Sequence, residues 1–386
     1  MNVPKLRFKE FNDEWKSKRI DELFKLSSGT TPSTTEKNNY IGNINWISSG
    51  ELKPKYINKT LNCISKNISK NMKKYPIGTL LIALYGLEAE GVRGTASILN
   101  INSTISQACM AFEPLNNYIS NEFMYYWYKN NGEWIGRKIA QGTKQQNLTS
   151  ELVKPLIVKY PQIAEQNKIA NVLSLLDKKI EFQAKKIEDL KLFKLYTKNQ
   201  IFKDYDEIFK LKDILVKWNK KNKNNSVKYV ESISNKYGFI SQSDQFEDRN
   251  VASKDLNNYY IIEKGVFGYN PSRLNVGSLA LKTNDKASVV SPLYECFTTS
   301  QNNQYLLEWF NSKYFRKETI SRFEGGVRNT LNFSNLCEIE IGLPTIEKQN
   351  KYSKIFKIFN DKIEFEVKKL YRLQELKKGL MQSMFV

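Results

Sequence analysis

Residues 161–202, PQIAEQNKIANVLSLLDKKIEFQAKKIEDLKLFKLYTKNQIF, and residues 344–385, PTIEKQNKYSKIFKIFNDKIEFEVKKLYRLQELKKGLMQSMF, align without a gap at a constant offset of 183. Gln166-Asn167-Lys168 matches Gln349-Asn350-Lys351, and Lys179-Ile180-Glu181-Phe182 matches Lys362-Ile363-Glu364-Phe365. Neither copy holds a proline after its first residue, and Gly379 is the only glycine in either, so each reads as one long helix. Apolar residues recur in steps of four and three at Ile169, Leu173, Leu176, Ile180, Ile187, Leu190 and Ile201. The second copy has Tyr352, Phe356, Phe359, Ile363, Leu370, Leu373, Leu380 and Met384. This is a heptad seam. It is interrupted at matched places, by Gln183 and Glu366 and again by Lys194 and Lys377. Polar seam residues cost stability but specify register. The two copies are therefore expected to pair with each other, each roughly 50 Å long at about 1.5 Å per residue.

Working outward, the residue before a proline is held extended, so Pro161 and Pro344 mark the start of each helix. The chain then divides into a domain (1–160), a helix (161–202), a second domain (203–343) and a second helix (344–386). The domains echo each other in outline. WKSKRIDELF (15–24) is echoed by FKLKDIL (209–215), GTLLI (78–82) by GVFGY (265–269), Ile105-Ser106 by Val290-Ser291, and FMYYWY (123–128) by YLLEWF (305–310). Strands at 156–160 and 338–343 and helices at 121–130 and 303–313 are expected. The fold class is α+β: two similar domains separated by two long helices that form an antiparallel coiled coil, with a pseudo-two-fold relation between the halves.

Sixty Lys and Arg against 40 Asp and Glu leave a net charge of +20, which calls for an anionic partner. The first ten residues are charged rather than apolar, and the longest apolar run, Leu80–Tyr85, is too short to span a bilayer. A cytoplasmic protein with no membrane partner is expected. The cysteines Cys63, Cys109, Cys296 and Cys337 are scattered, as befits reduced thiols. Histidine is absent, which excludes His-based triads, His general acid–base catalysis and ordinary zinc sites. No G-x-x-x-x-G-K-[ST] loop occurs, and Asn270-Pro271-Ser272 lacks the second proline of an amino-methylase tetrad. Glu51-Leu52-Lys53 resembles the tail of a nuclease motif, a tripeptide that arises by chance in a Lys-rich chain. Two alternatives stand beside a DNA reader: a self-contained metal-dependent nuclease and a coiled-coil scaffold.

The arrangement resembles the specificity subunit of type I restriction–modification systems. The residues that carry this are EWKSKRIDELFKLSSGTTPS (14–33), INWISSGEL (44–52), and the duplicated strand, proline and Glu-Gln pair that precede each long helix. Lys348 departs from the pattern, standing where the second Glu is expected. The resemblance implies two target recognition domains, each reading one half of an asymmetric, split double-stranded DNA site. It implies helices that act as spacer and as docking surface for two methyltransferase subunits, which motor–nuclease subunits then join. It implies a non-catalytic chain with no cofactor of its own. S-adenosylmethionine, ATP and Mg²⁺ would belong to the partners.

Phosphate contacts need Lys, Arg and small polar donors; base contacts need Arg, Gln and Asn. In the first domain, RKIAQGTKQQN (137–147) offers Arg137, Lys138, Lys144, Gln145, Gln146 and Asn147, and the loop from Tyr85 to Gly94 offers Arg93. In the second, RFEGGVRNTLN (322–332) offers Arg322, Arg328, Asn329 and Asn332, and YNPSR (269–273) offers Arg273. The acid-free stretch 217–228 adds Lys220, Lys221 and Lys223. Tyr125, Tyr126, Trp127 and Trp309 lie at helical spacing and are expected in the core.

Overall fold

The computed structural model describes residues 3–85, 94–141, 147–235, 237–242, 255–320, 322 and 330–386, with backbone alone at 275 and 276. The chain forms two compact units, Met1–Ala184 with Lys368–Val386, and Lys185–Val367.

In the first unit, strands Phe24–Ser28, Cys109–Pro114, Leu80–Ala83, Ala96–Leu99 and Tyr56–Ile57 form a sheet in that order, antiparallel except at the last pair. Leu80–Ala83 is apolar at every position because both faces are covered. Leu80 and Ile82 pack with Phe112 and with Phe123 and Trp127 of helix Asn121–Trp134, while Leu81 and Ala83 pack with Ile47, Leu99 and Ile105. Strand Lys16–Arg19 pairs antiparallel with Ile157–Tyr160, the strand that leads into Pro161.

The second unit repeats this frame. Leu215–Lys217, Glu295–Thr299, Phe267–Tyr269 and Leu279–Leu281 form an antiparallel sheet in the corresponding order. Glu207–Lys210 pairs with Glu340–Leu343 as Lys16–Arg19 does with Ile157–Tyr160. The echo between 15–24 and 209–215 has a physical basis. Each first strand runs into a one-turn helix, Ile20–Leu23 or Leu211–Ile214, whose third residue caps it: Glu22 accepts from the Arg19 N–H and Asp213 from that of Lys210. Gly78 and Gly265, which precede matching strands, both adopt left-handed φ, 86° and 92°. The expected helix at 303–313 is broken into Asn303–Phe310 and Lys313–Ile320.

The long helices run over Ile163–Ile201 and Ile346–Met384, 39 residues each, or about 58 Å. Within each unit they pair antiparallel. Lys194 Nζ donates to Asn360 at 2.7 Å, and the rings of Phe193 and Phe359 meet edge to face at 5.5 Å. In the other unit Lys377 pairs with Asp177, the repeat counterparts of Lys194 and Asn360. The seam has two environments. Ile169 and Leu173, and in the second unit Ile201 and Phe356, are buried in the domain cores. Ile187 and Leu373 are buried; Leu176, Ile180, Leu190, Phe359, Ile363 and Leu370 are half-buried. Helix ends therefore pack on domains as well as on each other.

The repeated helix start has a repeated task. Gln166 Nε2 donates to the carbonyls of Tyr118 and Pro161, and its Oε1 accepts from the Ser120 N–H. Gln349 bonds Pro344 O, Gln301 and the Asn302 N–H in the same way. Each glutamine thus ties a long helix to the residue that begins a domain helix. Beside it, Glu165 is fully buried in a two-pronged pair with Arg7 at 2.8 and 2.9 Å. Lys348, at the matching position, faces Asp206 at 3.2 Å and Asp204 at 3.3 Å. At this position the first unit has a buried acid met by a base, the second an exposed base met by two acids.

Candidate nucleic-acid interface

In each unit two stretches of chain, distant in sequence, meet at one place. In the first, the strand Leu80–Ala83 ends at Tyr85, which bridges to Asn147, and Asn147 exchanges backbone hydrogen bonds with Gln141 at 2.8 and 3.0 Å. Leu148 N donates to Leu84 O at 2.6 Å. The ends of segments 86–93 and 142–146 are therefore neighbours. Gly94, where the first segment returns, has φ 73°, and an added Cβ would sit 3.4 Å from Lys129 O and Gly132 Cα. The chain presses there on helix Asn121–Trp134. That helix runs on into a π-helical turn, Ile135–Ile139, of a kind often found at functional sites.

In the second unit, Leu331, the counterpart of Leu148, donates its N–H to Pro271 O at 3.1 Å. The segment 323–329 is thereby joined to the turn Pro271–Val276. Asn270 Oδ1 caps that turn by accepting from Ser272 N, and Gly277 closes it at φ 88°. The two units thus match in this contact, Leu148 with Leu84 in the first and Leu331 with Pro271 in the second.

Arg137 and Lys138 are exposed, and Arg137 pairs with Glu133 one turn earlier. Arg322 pairs with Glu318 at 3.0 Å in the same i,i+4 relation. Arg273 is exposed on the turn, and Asn147 at the anchor. Arg322 Nη1 also donates to the Glu318 carbonyl at 2.8 Å, whereas the exposed Arg137 pair is of the weak surface kind. Arg93, Lys144, Gln145, Gln146, Arg328 and Asn329 lie outside the described residues.

Three of the expected contact residues have partners within the chain. Asn332 is a helix cap, its Oδ1 accepting from Asn335 N and Ser334 Oγ at 2.8 Å each, so the carboxamide oxygen is spent on the helix Phe333–Cys337. Lys220 pairs with Glu263, and Lys221 donates to Asn258 O at 2.9 Å over the ring of Tyr260. These two lysines join the 217–228 stretch to the Tyr260–Ile262 strand; Lys223 is exposed. Glu51 is also a cap, accepting from Ser48 and Leu61 N–H groups. Among the described residues no group of three His, Cys, Asp or Glu is placed to hold a metal.

Trp134 was not legible as a surface residue. It lies seven residues after the buried Trp127, on the same helical face, yet is 48% exposed. It stands beside Arg137 and Lys138 in sequence, at the junction of helix and π-turn. Tyr125, Tyr126, Trp127 and Trp309 are buried, as their spacing required.

Residues 12–192 match the family model of the type I restriction modification DNA specificity domain. The type I restriction enzyme MjaIX specificity subunit of Methanocaldococcus jannaschii is 28% identical over 200 residues, spanning 50% of this chain but 45% of that protein. The MjaVIII specificity subunit of the same organism is 22% identical, over 96% of this chain and 91% of that one. The S subunit of a type I restriction-modification system from M. genitalium has a TM-score of 0.62 at 19% identity, covering 100% of this chain and 99% of that one. A chain from structural work on assembly and conformational transition of the type I system reaches 0.58 at 12% identity, covering 96% and 97%. At such identities the two structures speak for the fold. No helix among the described residues is long and apolar enough to cross a membrane. The sequence match lies on the first domain and first long helix: residues 12–192 are similar to the type I restriction modification DNA specificity domain, and the whole chain shares its fold with S subunits of such systems.

Proposed function

We propose that this chain reads double-stranded DNA for a type I restriction–modification complex and performs no chemistry itself. The observation that carries this is the shared anchor. Leu148–Leu84 and Leu331–Pro271 join matching positions of the two units, while the sequences next to these anchors differ. Equal frames dock alike; unlike loops read unlike bases. The target is then two different half-sites, and the +20 charge supplies affinity for phosphate.

The long helices offer a face for partners. Leu175 and Phe182 recur at seven residues, on one side of the first helix, away from the seam; Phe193 follows eleven residues on, where its ring also meets Phe359 of the seam. Their counterparts are Ile358, Phe365 and Leu376. Leu175 and Ile358 are 65% and 67% exposed, Phe182 and Phe365 70% and 59%. Lys179 and Lys185 flank Phe182, as Lys362 and Lys368 flank Phe365. A patch presented twice with the same chemistry fits two copies of one partner, an apolar pocket with an acidic rim, which is the role of the methyltransferase subunit. Restriction subunits join that assembly, and S-adenosylmethionine, ATP and Mg²⁺ bind to the partners.

The test is equilibrium binding of the assembled methyltransferase to its methylome-defined target at several salt concentrations. If about six phosphates are neutralised, the log–log slope is near −5. A slope of zero on that duplex would sink the reading.

A further inference from the structure

Beside the turn that carries Arg273, the second unit holds an open cavity of about 310 Å³. Glu231 forms part of its wall, although the residue is only 4% exposed. One carboxylate oxygen, Oε2, accepts from Lys282 Nζ and Ser288 Oγ, both fully buried. The other, Oε1, accepts no hydrogen bond among the described residues, and the residue that carries it lines the cavity. Lys282 stands behind the carboxylate and balances its charge, so Glu231 is held as a rigid acceptor. The same cavity is lined by residues that carry donors: Arg273, Gln242 and Asn270, whose carboxamide oxygen is occupied by Ser272 N.

We infer that this cavity is a base-reading site of the second half-site, and that Glu231 selects a base bearing an exocyclic amino group, cytosine first. The inference rests on the DNA-reading function proposed above. In the major groove only cytosine N4 and adenine N6 present donors; guanine O6 and thymine O4 present acceptors. A buried carboxylate oxygen facing the groove accepts from the former and repels the latter. Cytosine leads because its major-groove edge is a donor alone, whereas adenine adds the N7 acceptor, which a carboxylate opposes. Arg273 and Asn270 are then free to serve the neighbouring guanine or a phosphate. The counterpart loop of the first unit, 86–93, belongs to a different half-site, so one unit can carry this preference alone.

The first probe leaves the protein intact. Targets are made in which each half-site cytosine is replaced in turn by pyrimidin-2-one, which lacks the amino group, and each adenine by purine. Wild-type complex should lose about tenfold to a hundredfold in affinity at one position of one half-site. The second probe is Glu231→Gln, which turns a possible amino acceptor toward the cavity into a donor. Selection from a randomised duplex library should show that same position relaxed or switched to guanine or thymine, with the other half-site unchanged. Should Glu231→Gln not fold because Lys282 is left uncompensated, the double variant Glu231→Gln/Lys282→Met carries the comparison, and the analogue series on wild type stands independently. Uniform tolerance of the analogues at every second half-site position would overturn the inference while leaving the DNA-reading function intact. Absence of any sequence preference in wild type would instead overturn the function itself.

Discussion

Arg7 and Glu165 show how one residue can hold a domain to its helix. Glu165 is fully buried and, among the described residues, is compensated by the two-pronged guanidinium of Arg7, itself 14% exposed at the side chain. Removing Arg7 strands a buried carboxylate, a loss of about 3 kcal/mol. Arg7→Ala should therefore lower the thermal midpoint of the first unit, while the exposed exchange Lys348→Glu in the second should cost much less; equal losses would show that burial is not the cause. Glu308 makes a pH prediction. Burial alone would raise its pKa, but Lys198 and Lys194, at 3.0 and 2.9 Å, more than offset that and hold it below the usual 4.5. The unfolded chain thus takes up the proton at higher pH than the folded one. The stability this supplies is present above about pH 4.5 and is lost as pH falls below it. Denaturant midpoints measured between pH 7 and pH 3 should fall less steeply for Glu308→Gln than for wild type.

Among the elements, the two long helices mix two kinds of burial, and mutations should separate them. Leu173 lies in the first domain's core, so Leu173→Ala should cost about 3 kcal/mol in unfolding experiments. Leu176, half-buried one turn on, should cost about half as much. The exposed stripe gives the opposite signature. Phe182→Glu with Phe365→Glu should leave the melting midpoint and DNA-contacting residues intact but prevent co-purification of the methyltransferase subunits. Normal assembly by that double variant would remove the stripe from the interface. The polar breaks in the seam are anchors rather than defects. Lys377 meets Asp177, supplied by the helix, with Tyr126 donating to the same carboxylate at 2.7 Å. Its counterpart Lys194 meets Glu308, supplied by a domain helix, and Asn360. The lysine is constant, and the acid has moved from one element to another.

For the whole molecule, the anchored loops make the reading modular. Replacing 142–146 should change one half-site in the methylome and leave the other untouched; replacing 323–329 should do the reverse. A shift of both half-sites by either replacement would contradict the modular account. Inserting one heptad into both long helices keeps the seam in phase, and should lengthen the unread gap without altering either half-site.

The 183-residue repeat, the helix starts at Pro161 and Pro344, the heptad seam and the α+β character were all legible in the sequence, because helical periodicity, proline and glycine act locally. The pairing of 15–24 with 209–215 was legible for the same reason: an acid three residues into a one-turn helix is a local signal. Burial of a particular side chain was not. Trp134 shares the face of Trp127 and yet is exposed, and Asn332 has the composition of a base reader and yet caps a helix. Glu231 carried no signal at all, since its role depends on Lys282 and Ser288, which lie more than fifty residues away in the chain. Sequence spacing determined which residues share a face or a turn; only the tertiary structure decided what each face meets, because burial and charge compensation arise from residues brought together by the sheets and not by the chain.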